Sequence, residues 1–168
     1  MAKTNLTKED VLNHVRETAE EYFRRGDYFC SEAVVQTIND LLGKPYADDI
    51  VKMASGFPIG QGKSGCLCGA ISGGQMALGM GLGRVHGEAM PDKMFPASAD
   101  LHDWCRETYG ATCCRVITRQ WAGDNFMSPE RKAHCIQITG ATAEWVADRL
   151  IEEGVIEPDE ASLETALD

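Results

Sequence analysis

The sequence predicts an all-α protein, and three observations support this fold class. Apolar residues recur at helical spacing along the first and the last long segments of the chain. Glycine and proline stand at the expected ends of these segments, where helices stop or start. No segment alternates apolar and polar residues with period two, as a half-buried strand does. We therefore expect a compact multi-helix bundle in which a glycine-rich loop leads into a central glycine-rich helix.

The first part of the chain contains three predicted helices. Thr7 is the expected N-cap of the first, which has acidic residues in its first turn and stops at Gly26. The second covers residues 31–42, so that Cys30 falls at its N-terminal edge. A short helix over residues 47–54 follows it.

A glycine-rich loop over residues 56–65 leads into the predicted central helix, over residues 68–82. So many glycines lower the helix propensity, and the helix is therefore stable only if it is tightly packed. Gly69 and Gly73 would let another backbone or a cofactor come close. Cys68 lies where the loop becomes the helix, and the unpaired N–H groups and helix dipole there favour its thiolate.

The second half of the chain is predicted to begin with a loop over residues 84–96, followed by a helix from Ser98 or Asp100. That helix carries Cys105 beside a tryptophan, and core packing is the expected role of this cysteine. It should end near Gly110.

A short helix capped by Thr112 is predicted to carry Cys113 and Cys114. The last helix begins with Ser128 as N-cap and proline at the first helical position, and it runs to about residue 153. It carries Cys135. We expect one helical redox domain over residues 1–154 and an acidic C-terminal tail over residues 155–168.

Composition and charge limit the classes of function. The chain has 168 residues and a net charge of −10, which argues against a nucleic-acid partner and against docking on anionic lipid. No apolar run approaches the length that crosses a bilayer, so no membrane partner is expected. Residues 1–7 lack the apolar core of a secretory signal, and a cytoplasmic location is expected.

Seven cysteines are a large number for such a chain. In a reducing compartment they point to metal binding or redox chemistry more than to a set of structural disulfides. The odd count gives the same indication, because seven cysteines cannot all be paired internally.

The order of the cysteine elements carries a family resemblance. A cysteine opens an early helix (Cys30), and the glycine-rich loop ends in Cys-Gly-Ala-x-x-Gly over residues 68–73. A Gly-x-x-x-Cys-Arg element follows over residues 110–115, and then a cysteine in a long C-terminal helix (Cys135). This pattern, over about residues 28–150, resembles the redox-active family named for its motif, C_GCAxxG_C_C. A similar segment occurs in split-Soret cytochromes, which are dimeric haem proteins associated with an iron–sulfur centre.

The resemblance implies that the four family cysteines are Cys30, Cys68, Cys114 and Cys135, which would ligate an iron–sulfur cluster. Cys68 is also the expected reactive thiol. Gly65, Gly69 and Gly73 would provide close packing and hydrogen bonds to sulfur in the cofactor site. Two further cysteines leave the ligand choice open, since Cys66 makes a Cys-x-Cys with Cys68 and Cys113 is vicinal to Cys114.

Four interpretations of the chemistry of the site remain open. The first is one-electron transfer through an iron–sulfur cluster, either [2Fe-2S] or [4Fe-4S]. The second is a thiol–disulfide oxidoreductase without metal, with Cys68 attacking and Cys30, Cys66, Cys114 or Cys135 resolving. A zinc site is a further possibility for four thiolates. The last is a non-catalytic helical binding module, in which every cysteine is a small buried apolar residue.

Cofactors and partners follow from the same residues. The chain has no Cys-x-x-Cys-His, so covalent haem is not expected. An electron carrier needs a redox partner protein, whose identity the sequence does not reveal. A homodimer is also conceivable, because a glycine-rich helix face can pack against a second subunit as well as against the core.

Overall fold

A computed structural model of the protein describes residues 6–165 and 167, and all regular secondary structure in these residues is helical. The absence of strands from this part of the chain confirms the all-α prediction. Residues 1–5, 166 and 168 lie outside the described residues. These include the first residues of the predicted domain over 1–154 and the last residue of the predicted tail over 155–168. The helices are α1 (Lys8–Arg25), α2 (Cys30–Leu41), α3 (Pro58–Gln61), α4 (Gly69–Leu82), α5 (Met94–Tyr109), α6 (Cys114–Ile117) and α7 (Pro129–Glu152).

Capping residues set the ends of the two longest helices, as predicted. Thr7 and Asp10 form a capping box at the start of α1, in which each side chain bonds the backbone N–H of the other residue. Gly26 ends α1 in the left-handed conformation, with φ 82°. At the start of α7, the Ser128 side chain accepts a hydrogen bond from the backbone N–H of Arg131.

Two predicted boundaries are wrong. The loop expected over residues 84–96 ends early, because α5 starts at Met94. Pro96 lies in its first turn, where a missing amide N–H costs no helical hydrogen bond. Cys113, not Thr112, is the N-cap of α6. The carbonyl of Thr112 is used elsewhere, since it accepts a hydrogen bond from the Cys68 backbone N–H at 2.8 Å.

The glycine-rich loop contains a kinked helical turn, α3, which doubles back on itself. Ile59 and Gly60 have positive φ values of 59° and 66°. A Cβ on Gly60 would lie 2.5 Å from the carbonyl carbon of Gly65, so only glycine fits where the loop crosses its own end. This turn brings Pro58 and Ile59 beside the start of α4.

The core forms where α2 packs between α1, α4 and α7, while α5 covers the other side of α4. Its central side chains are fully buried, among them Ile71, Leu78 and Leu150. The first part of the C-terminal segment joins this core, since Ile156 is buried and the Ser162 N–H donates to the Leu41 carbonyl at 3.1 Å. None of the helices within the described residues is long and apolar enough to span a bilayer.

Candidate functional site

Four cysteines from four separate helices line one cavity of about 440 Å³. Cys30 is the first residue of α2, Cys68 is the N-cap of α4, and Cys114 is the first residue of α6. Cys135 lies one and a half turns into α7. All four are free thiols. The structure thus brings together the four cysteines that the family resemblance selected, although they are spread over 106 positions of sequence (135 − 30 + 1).

The rest of the cavity wall is mostly apolar. It comes from the end of α1 and the turn that follows, from α3, from the start of α4, from α6, and from α7 with the segment before it. The apolar residues among them are Phe23, Phe29, Pro58, Ile59, Ala70, Ile117, Phe126, Met127 and Ile138. Such a wall limits water around the thiols and lowers the local dielectric, which strengthens every charge interaction in the cavity.

The three predicted glycines have different positions. Gly69 lines the cavity, and a Cβ there would lie 2.5 Å from the Cys30 Sγ. Gly73 lies one turn further along, where a Cβ would lie 2.5 Å from the Ser31 carbonyl oxygen, so it serves the contact between α4 and α2. Gly65, with φ 84°, lies against the side-chain stem of Arg115 and does not line the cavity.

Burial and the neighbouring thiols keep Cys30, Cys68 and Cys135 protonated. Burial, with the nearby Cys135, raises the pKa of Cys30 to about 12. Burial raises the pKa of Cys68 well above its usual value, and the neighbouring Cys30 and Cys114 add to the effect. The pKa of Cys135 is raised for the same reasons. Negative charge on one sulfur therefore disfavours charge on the others.

The expectation that the start of α4 makes Cys68 a thiolate is wrong for this cavity. The predicted interactions exist, since the backbone of Ala70 and Ile71 hydrogen bonds to the Cys68 sulfur and lowers its pKa. Burial outweighs them, because a charged sulfur loses its hydration in the apolar cavity. The backbone of Ile59 and Ser31 acts on Cys30 in the same way and is outweighed there too.

Arg131, which was not among the residues predicted from the sequence, supplies positive charge at the cavity. Its Nη2 lies 3.9 Å from the Cys114 Sγ, and its charge lowers the pKa of Cys135, which burial raises more. The guanidinium lies over the Phe126 ring, 4.1 Å from the ring centroid. Its Nε is buried and has no hydrogen-bond partner. The spacing of four residues between Arg131 and Cys135 on one helix was the available signal.

Cys66 and Cys113 do not line the cavity and form a disulfide with each other. Their Cα atoms are 4.2 Å apart across a sequence separation of 47. Both were predicted from the sequence as alternate ligands, and their pairing with each other was not predicted. The structure gives each of them the other as its partner, which leaves Cys68 and Cys114 as the cavity-facing member of each neighbouring pair.

The arrangement of metal-ligating side chains bears on the kind of metal site that the described part of the chain could form. In it, no group of three or more His, Cys, Asp or Glu side chains is arranged as it would be around a single metal ion. In a four-iron cluster each cysteine binds a different iron atom, so the sulfurs of such a site need not converge on one point.

Residues 28–149 match the family described as "Putative redox-active protein (C_GCAxxG_C_C)". This match covers more than half of the chain, and the chain therefore belongs to that family. Neither a curated protein nor a solved structure matches it.

Proposed function

We propose that this member of the C_GCAxxG_C_C family is an electron-transfer protein that holds an iron–sulfur cluster on Cys30, Cys68, Cys114 and Cys135. The observation that carries the proposal is the common cavity, which four free thiols from four helices line. Four cysteine ligands in a water-poor pocket are what such clusters need. When bound, the cluster would accept and release one electron at a time.

The cavity suits an anionic, thiolate-ligated group in three respects. Its volume of about 440 Å³ exceeds the space of a single ion. The Cys30, Cys68 and Cys135 thiols are neutral because burial outweighs the interactions that favour their charge, and bound iron would deprotonate them outright. Arg131 adds a cation with a buried Nε that has no hydrogen-bond partner.

The protein residues around the cavity have definable roles. The backbone N–H groups that bond to Cys30 and Cys68 would orient these sulfurs and stabilise their negative charge. Gly69 leaves room for Cys30 to face the cavity. Phe126, which packs against Arg131, shields the side of the cavity near α7 from water.

A thiol–disulfide oxidoreductase is the second candidate, and the Cys66–Cys113 disulfide favours it. The structure argues against Cys68 as the attacking thiolate, since Cys68 is 7% exposed and its pKa is raised well above the usual range. A non-redox helical binding module gains nothing from four thiols that share a cavity.

Iron content tests the proposal. The protein should be purified without oxygen from cells supplied with iron, and its iron, acid-labile sulfide and visible absorption measured. We expect a brown protein with near-equal iron and sulfide, whose absorption bleaches with dithionite. A colourless protein that takes up no iron and sulfide in anaerobic reconstitution would refute the cluster.

A further inference from the structure

The Cys66–Cys113 disulfide ties together the two segments that hold two of the cavity cysteines. Cys66 precedes Cys68 by two residues, and Cys113 directly precedes Cys114. Two backbone hydrogen bonds flank the disulfide, from Arg115 N–H to the Gly65 carbonyl at 2.9 Å and from Cys68 N–H to the Thr112 carbonyl at 2.8 Å. The two segments therefore lie side by side, with one sulfur of each in the disulfide and the other at the cavity.

The two pairs of cysteines differ in accessibility. Cys68 and Cys114 are each 7% exposed, whereas Cys66 and Cys113 are both only half-buried. A protein or small thiol from solution therefore reaches the disulfide more readily than it reaches Cys68 or Cys114. Accessible disulfides are the ones that exchange readily, since exchange needs a thiolate to approach a sulfur atom.

Cationic residues flank the two disulfide cysteines in the sequence of an otherwise acidic protein. Lys63 lies three residues before Cys66, and Arg115 lies two residues after Cys113; both are exposed. The Arg115 side chain lies on Gly65, the residue next to Cys66, since a Cβ at Gly65 would be 3.0 Å from the Arg115 Cβ. Positive charge stabilises the thiolate that leaves when a disulfide opens.

We propose that Cys66 and Cys113 are a second redox site, a reversible disulfide at the surface whose substrate is a dithiol protein. A thiolate of the substrate attacks one sulfur of the pair, the Cys66–Cys113 bond breaks, and the freed thiolate takes up a proton. The second substrate thiol then loses its proton and attacks the substrate sulfur of the mixed disulfide. The mixed disulfide bond breaks, and the second cysteine of the pair leaves as a thiolate that takes up a proton. The substrate leaves as a disulfide, and the pair has gained two electrons and two protons. This site does not depend on a cluster in the cavity.

The test follows the two cysteines in the intact wild-type protein. Samples are equilibrated in buffers of reduced and oxidised dithiothreitol, the free thiols are alkylated, and the peptides are identified by mass spectrometry. Peptides with Cys66 and Cys113 should change together. A roughly hundredfold change in the ratio of reduced to oxidised dithiothreitol should take the pair from about one-tenth to about nine-tenths reduced. Reduced thioredoxin is the protein probe and should open the disulfide without denaturant.

Two results would overturn the proposal. One is a disulfide that thioredoxin opens only after the protein is unfolded, which would make it purely structural. The other is a pair that is alkylated at both cysteines even in oxidised dithiothreitol. Cys66→Ser should leave Cys113 alkylated in every buffer, while Cys105→Ser should keep the transition unchanged. The wild-type titration can be interpreted even where a variant fails to fold. It involves no iron, so its result does not depend on whether the protein holds a cluster.

Discussion

Cys30 at the cavity and Cys105 in the core of α5 look alike when each is considered singly. Both are free thiols, and burial raises the pKa of Cys30 to about 12 and that of Cys105 to about 11. Their neighbours differ. Cys105 has no exposed surface, packs among core side chains, and donates a hydrogen bond from its Sγ to the Ala111 carbonyl at 3.4 Å. Cys30 faces an open cavity that three more thiols line.

The difference teaches how to recognise a functional cysteine in this protein. Burial and a raised pKa are common to both regions, and a satisfied core cysteine produces them as readily as a ligand does. Cys30 shares its cavity with other free thiols and with Arg131, whose buried Nε has no hydrogen-bond partner. Among the described cysteines, only those that line this cavity have such surroundings. Variants in matched pairs can therefore test the comparison directly.

The largest expected effect comes from replacing one cysteine of each region by serine. Cys68→Ser should lower iron content and visible absorption about tenfold or more, because a cluster would lose a ligand. Cys105→Ser should leave both unchanged, since Cys105 does not reach the cavity. Iron and sulfide assays on anaerobically reconstituted protein measure the effect. Equal losses of iron and sulfide in the two variants would mean that Cys68 holds iron no more than Cys105 does.

A smaller effect is expected from two glycines of α4. Gly69→Ala places a Cβ 2.5 Å from the Cys30 Sγ and 3.0 Å from the Phe57 carbonyl oxygen, so the cavity wall must shift. We expect a loss of roughly 1–3 kcal/mol in the free energy of unfolding, together with less bound iron. Urea denaturation and iron assays provide the measurements.

Gly79→Ala is the matched control in the same helix. A Cβ at Gly79 meets no atom within 4 Å, so alanine should raise the free energy of unfolding by about 0.5–1 kcal/mol and leave iron content alone. If the two alanine variants had the same free energy of unfolding and the same iron content, the close approach of Gly69 to Cys30 would affect neither quantity.

The smallest effect is a pH dependence in the metal-free protein. A thiol whose pKa rises from 9.0 in the unfolded chain to about 12 in the fold keeps its proton in the folded state longer. Its contribution to stability is complete below pH 9 and is lost as the pH rises toward 12. By pH 10 the loss should be about 1 kcal/mol for Cys30, and nearly the same for Cys105.

Urea denaturation of metal-free protein at pH 8 and pH 10 measures this loss. Cys30→Ala and Cys105→Ala should each reduce the fall in stability between the two pH values by a similar amount. Tyr109, whose pKa burial raises to about 12, adds a fall of the same sign that both variants retain. A wild-type stability that does not change over this range would show that neither thiol is held in its neutral form.

Local signals predicted much of the fold, since they act within a few residues. The Thr7 cap, Gly26 and the Ser128 cap predicted three helix ends, and the structure has all three. The start of α5 at Met94 was missed, because no capping side chain marks it and packing against α4 decides it. Such ends depend on tertiary contacts that local sequence does not display.

The candidate site divides in the same way. The cavity cysteines came from a family pattern and not from spacing, because their helices are far apart in sequence. The pairing of Cys66 with Cys113 was missed, since two segments 47 residues apart come together only when α4 and α6 are placed. Cys68 was expected to be a thiolate, but burial raises its pKa. That burial depends on every element around the cavity, so the local sequence does not show it.

The disulfide also gives the chain a covalent ring. Residues 66–113 form this ring, and the exposed residues 83–89 between α4 and α5 lie within it. A protease that cut there would open the backbone without separating the two pieces. The fragments would run as one species on a gel without reductant and as two with it, so a single nick in this loop reports the oxidation state of a bond that lies elsewhere on the surface.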